Sequence, residues 1–152
     1  MKVLSIIITI FILSCGSLVG MDRPESSVAN DFEWQVFLLT NSERTSRGIP
    51  ALQWDDRLGI AARAHSQDMA QNRFISHTGS DRSDPSQRVT RAGFVWSRVA
   101  ENVADGQRTP EEVVNSWMNS PGHRQNILNP AYTHLGVGFV SNKWTQKFAT
   151  PR

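Results

Sequence analysis

Between residues 31 and 128 the apolar positions fall mostly at helical spacing, and from Leu135 they form two short runs around a polar turn. Phe32, Val36 and Leu39 follow an Asn30-Asp31 cap and predict a first helix that stops at Gly48, with Pro50 forbidding continuation. Leu58, Ala61, Ala62, His65 and Met69 make one stripe, which predicts a second helix from after Asp56 to about Asn72. Asp84-Pro85 opens a short third helix ending at Gly93. Thr109 with Glu112 forms a capping box for a fourth, whose buried stripe is Val113, Val114, Trp117 and Met118 and which Pro121-Gly122 ends. A helical turn from His123 to Leu128 follows. Phe94 to Ala104 reads as extended, and Leu135–Val140 with Trp144–Ala149 as a hairpin across Ser141-Asn142-Lys143. Helices covering a small antiparallel sheet make the expected fold class α/β (α+β), a sandwich.

The first residues break this pattern. Lys2 precedes an apolar run from Val3 to Leu13, the length of a signal-peptide hydrophobic region and too short to span a bilayer. It ends at Ile12-Leu13-Ser14-Cys15, where the chain's only cysteine sits in a lipobox-like setting. Residues 1–14 are therefore expected to be a lipoprotein-type signal, Cys15 the acylated first residue, 15–30 a small, polar tether and 31–152 the folded domain. The alternative is ordinary cleavage, for instance after Gly16, and secretion of a soluble domain. Export is common to both, and the lipid-anchored reading places the domain at a bacterial cell envelope. With one cysteine the mature domain has no disulfide, so its stability rests on its core.

At 152 residues, 39% hydrophobic and 20% charged, the chain holds one ordinary domain. Lysine and arginine exceed the acids by two, with no block of like charge, which argues against a nucleic-acid partner.

Several runs in order resemble bacterial domains of the CAP superfamily (the SCP or pathogenesis-related-protein domain): Asn41-Ser42-Glu43-Arg44, Leu52-Gln53-Trp54, His65 to Met69, and Phe74-Ile75-Ser76-His77-Thr78. Ala100-Glu101-Asn102-Val103 is similar to the family's G-E-N motif, WMNSPGHRQNIL (117–128) to its most specific signature, and NPAYTHLGVGF (129–139) with Trp144-Thr145-Gln146 completes the pattern. The resemblance implies a three-layer α-β-α sandwich. It also implies a cleft of two histidines and two acids that holds a divalent metal such as zinc in some members. His77, Glu101 and His123 match three of these positions, while the fourth is Ser120. Two imidazoles and one carboxylate would leave a coordination position open, with Glu101 either a ligand or the acceptor that orients a ring.

The same side chains have a plainer reading, in which both histidines bond loop backbone and Glu101 anchors a strand end. His65, on the apolar stripe, reads as packed with one nitrogen satisfied, and His134 as solvated or capping. Asn102, Asn126 and Arg124 are expected to tie loops to backbone. Trp34, Trp54 and Trp117 fit packing positions, leaving Trp96 and Trp144 as candidate ligand contacts. The leading functional reading is a monomeric, non-catalytic, envelope-anchored module that binds a lipid, glycan or protein ligand. A metal- or serine-dependent hydrolase is the rival, although Ser120 lacks a G-x-S-x-G elbow and a visible base. A structural or adhesive lipoprotein is the third.

Overall fold

The computed structural model describes residues 22–152, so the signal-like run, Cys15 and the start of the tether lie outside the described residues. Five helices are present among them, α1 (Asp31–Thr45), α2 (Asp56–Asn72), α3 (Pro85–Arg91), α4 (Pro110–Met118) and α5 (Pro121–Leu128). The strands are β1 (Gln53–Trp54), β2 (Trp96–Asp105), β3 (His134–Val140) and β4 (Lys143–Pro151).

The helix starts follow from their caps. Asn30 and Glu33 exchange side-chain to backbone hydrogen bonds at 3.0 and 2.9 Å, and Asp84 and Gln87 do the same at 2.8 and 3.0 Å. Asp55 caps α2. The box expected at α4 is only half formed, because Thr109 accepts from the Glu112 amide while the Glu112 carboxylate reaches the Arg108 amide instead. Ser141 and Asn142 both take positive φ in the two-residue turn between β3 and β4, the geometry whose twist suits a tight hairpin.

The sheet order is β1-β3-β4-β2, with β4 antiparallel to both neighbours. The two-residue β1 adds a parallel pairing to β3, so the sheet is mixed where the sequence suggested only antiparallel strands. A segment that short carries no periodicity of its own and forms because β3 presents an open edge. Alternation along β4 builds the layers. Trp144 and Phe148 join Val36, Phe37, Val113, Trp117 and Ile127 on the face covered by α1, α4 and α5, while Ala149 joins Leu58, Val89 and Phe94 under α2 and α3. Gly136 and Gly138 let α2 lie directly on β3, since a Cβ at either would overlap α2 backbone at Leu58–Gly59 or Ala62–Arg63.

The stretch read as a tether up to Asn30 is attached to the domain, first by Arg23, which pairs with Asp31 of α1 at 2.8 Å, and then from Ser27 onward to α2. The Val28 amide donates to Asp56 at 3.2 Å, Arg63 donates to the Val28 carbonyl at 2.8 Å, and Ala29 is buried. Polar, aperiodic sequence hid the contacts of residues 27–29 because their partners are on α2.

Candidate functional site

β2 is an edge strand, and the site is built on it. Its Glu101 side chain is only 1% exposed, yet three basic groups converge on it. Lys147 Nζ from β4 and Arg88 Nη2 from α3 (3.0 Å) donate to Oε2, and His77 Nδ1 donates to Oε1 at 2.8 Å. An ionised carboxylate only accepts, so His77 carries its proton on Nδ1 and Nε2 is left facing outward on a side chain that is 54% exposed. Burial by itself would raise the Glu101 pKa. The His77 hydrogen bond and the charges of Lys147 and Arg88 outweigh it and hold the group at about 2. Burial pushes Lys147 the other way, down to about 8, against the pull of Glu101.

Arg88 also fastens the loop that bears His77, donating to the His77 carbonyl at 2.7 Å and the Ser83 carbonyl at 2.6 Å. On the opposite side α5 is tied to β2. Asn102 Nδ2 donates to the His123 carbonyl at 3.1 Å, and Asn126 Nδ2 donates to Asn102 Oδ1 at 2.9 Å. The half-buried His123 ring has no hydrogen-bond partner among the described residues. Burial lowers its pKa, and the proximity of His77 lowers it further. Ser120 is the N-cap residue of α5 but its hydroxyl makes no cap bond. A shallow groove of about 370 Å3 opens beside Glu101, lined by His77, Asp84, Pro85, Ser86, Val99 and Ala100.

The structure therefore brings His77 against Glu101 and His123 close to His77. Among the described residues, however, no group of three His, Cys, Asp or Glu side chains could hold a metal ion. Both Glu101 oxygens are occupied by Lys147, Arg88 and His77, so a three-ligand centre that uses this carboxylate does not fit. What fits is the orienting arrangement, in which a carboxylate takes Nδ1–H and frees Nε2.

His65 packs as its stripe indicated, with Nε2 bonded to the Ser76 carbonyl at 2.8 Å and 3.8 Å from Glu101. Half-buried His134 meets the Thr133 hydroxyl at 2.8 Å and the edge of Phe94. Trp144 is fully buried and donates to the Gln107 carbonyl, which removes it as a ligand contact; Trp96 donates to Thr90. Sequence reasoning missed Arg88 and Lys147. A lysine between Trp144 and Phe148-Ala149, inside a segment read as a strand of the terminal hairpin, was the available signal for a buried cation seeking a carboxylate.

The sequence profile of the cysteine-rich secretory protein (CAP) family matches residues 37–150. The Bacillus subtilis (strain 168) protein YkwD is 45% identical over 124 residues, 80% of this chain and 48% of its own length. The crystal structure of an extracellular protein containing an SCP domain from Bacillus anthracis superposes with a TM-score of 0.75 at 34% identity, covering 77% of this chain and 39% of that one. An outer surface protein of Borrelia burgdorferi shares the fold, with a TM-score of 0.73 at 23% identity over 81% of this chain and 97% of that one. The chain thus spans about half or less of the two Bacillus relatives. A profile match over three quarters of the residues, carried on a fold that positions the motif side chains around one edge strand, places this chain in the CAP family.

Proposed function

We propose that the domain is an exported, envelope-anchored, non-catalytic binding module whose ligand meets the exposed edge of His77 and the neighbouring His123. The observation that carries this reading is the state of Glu101. A carboxylate held at about 2 by three basic partners stays ionised and occupied, so it serves neither as general acid nor as base near neutral pH. Ser120 has no hydrogen-bonded base among the described residues. Export is supported by the signal-like run before Cys15 and by the extracellular Bacillus anthracis relative.

A divalent ion such as zinc would be held by His77 and His123, with Glu101 fixing the His77 ring and water completing the shell. Such an ion would add a Lewis-acid contact for a ligand oxygen. Two protein ligands make weak binding the expectation.

Thermal melts of wild type, His77→Ala, His123→Ala and His65→Ala, each with and without zinc, test the reading. Zinc at about 100 times Kd stabilises the native state by about 2.7 kcal/mol, and the gain should vanish in both cleft variants. A zinc shift that survives both cleft variants but not His65→Ala puts the metal elsewhere. Steady turnover of casein or an ester, lost in His77→Ala and Ser120→Ala, would make the protein a hydrolase instead.

A further inference from the structure

The chain enters the domain at one edge of the sheet, and the His77 site lies at the other. β1 covers β3 only at His134 and Leu135, and further along that edge the Phe139 amide donates to Glu33 of α1 at 3.0 Å. Arg63 of α2 donates to the same carboxylate and, at 2.8 Å, to the Val28 carbonyl, so residues 28–33 run past the β3 edge. Arg23 in turn donates to the Ala29 carbonyl at 3.2 Å and pairs with Asp31, which fixes where the chain leads off towards Cys15. In the order β1-β3-β4-β2, Glu101 is on the last strand, two inter-strand spacings from β3, or about 10 Å before any side chain or loop is added. α2 separates the two regions in the same sense. Asp56 and Arg63, which hold the entering chain, are seven residues apart and share a face of α2. His65, 3.8 Å from Glu101, follows Asp56 by nine residues, about two and a half turns, and faces the other way.

The edge where the chain enters also exposes apolar surface. Val28 is 43% and Phe32 39% exposed, and Trp34 and Trp54 are half-buried. These side chains follow the edge. Asp56 Oδ1 accepts from the Val28 amide at 3.2 Å and from Trp54 Nε1 at 2.7 Å, which puts Val28 beside Trp54. Phe32 and Trp34 flank Glu33 in the first turn of α1, Trp34 with its ring 5.8 Å from that of Trp54 and Phe32 with its ring 5.3 Å from that of Phe139. Tryptophan is enriched at the headgroup level of membranes, where an apolar body and a polar N–H are both accommodated.

We propose that this edge is the surface on which the domain rests against the bilayer that holds its anchor, and that the His77 groove therefore faces away from the membrane. The inference rests on the reading of Cys15 as the lipidated residue. Arg23 is eight residues after Cys15, and a chain of that length spans at most about 28 Å, so the surface around Val28 stays close to the lipid. Tethering makes the contact intramolecular, and at the resulting effective concentration a small apolar patch docks even where it is too weak to recruit a free domain. The orientation narrows the ligand of the proposed binding module. A groove at the opposite edge is approached through the aqueous phase, so its ligand is a water-borne molecule and not a lipid of the anchoring bilayer.

The test uses the full chain, expressed in a bacterial host that lipidates it, purified in mild detergent and reconstituted into vesicles of phosphatidylglycerol and phosphatidylethanolamine. A fluorophore is placed on a cysteine introduced by Val28→Cys, Phe32→Cys or Ser86→Cys, the last of which lines the His77 groove. Lipid bearing a nitroxide on its headgroup is the quencher, and mass spectrometry of the same preparation reads the state of Cys15. Fluorescence should be lost at Val28 and Phe32 and retained at Ser86. Two positions on the edge keep the result independent of how either variant folds. On chain acylated at Cys15, a loss at Ser86 equal to or greater than that at Val28 and Phe32, or no loss at any position, overturns the orientation and leaves the anchor in place. A processed chain with unmodified Cys15 overturns the anchor and the orientation with it.

Discussion

Replacing Glu101 by Gln leaves Lys147 and Arg88 buried with no counter-charge, whereas replacing Lys147 by Met leaves Glu101 with Arg88 and His77. The two substitutions should therefore differ sharply although they break the same ion pair. Removing one partner of a buried pair costs about 3–5 kcal/mol. The depression of Glu101 from its ordinary 4.5 to about 2 corresponds, at about 1.4 kcal/mol per pH unit, to about 3 kcal/mol, which agrees. For a domain of this size that lowers Tm by about 10–15 °C. Lys147→Met should cost less than about 1 kcal/mol, because burial already pushes the lysine down to about 8 and an apolar side chain escapes that penalty. The pH dependence has a defined sign. A carboxylate depressed on folding contributes its full stability above about pH 4.5 and loses it as pH falls towards 2, so the wild-type advantage over Glu101→Gln should shrink across that window. Melts followed by circular dichroism at pH 7 and at steps from 4.5 to 2 measure both effects. Equal losses in the two variants at pH 7, or a wild-type advantage that does not change with acid, would refute the assignment of Glu101 as the shared counter-charge.

Gly138→Ala pushes a Cβ into the backbone at Ala62–Arg63 and should cost about 3 kcal/mol or more; an unchanged urea midpoint would contradict the close α2–β3 contact. Arg44→Met strips four backbone carbonyls, those of Pro50, Ile127, Asn129 and Tyr132, of a buried guanidinium and should lower stability by about 3 kcal/mol in the same assay, with the 127–132 segment the first to gain hydrogen exchange. Cys15→Ser in the native host should release the processed protein from the membrane fraction, because the lipid is proposed to be the anchor; unchanged partitioning of a processed product would argue against acylation.

Local chemistry made much of the architecture legible before any coordinates. Asn30, Asp55, Asp84 and Thr109 start helices because a short polar side chain can satisfy first-turn amides within the same few residues. The hairpin could be read for the same reason, since its turn and both alternating runs are contiguous. The adjacency of His77, Glu101 and His123 came from resemblance, because residues 24 and 22 apart in sequence carry no local geometric signal. Only the tertiary structure decided what those residues touch. Alternation along β4 tells that Trp144 and Lys147 face opposite layers, but not that one meets α1 and α4 while the other meets a carboxylate on the neighbouring strand. The attachment of residues 27–29 to α2 and the two-residue β1 likewise depend on partners distant in sequence. Patterning in the chain fixes which face each side chain takes, and the packing of layers fixes what stands across from it. A buried charge such as Glu101 takes its protonation state from those neighbours, so its chemistry is a property of the folded molecule and not of the motif.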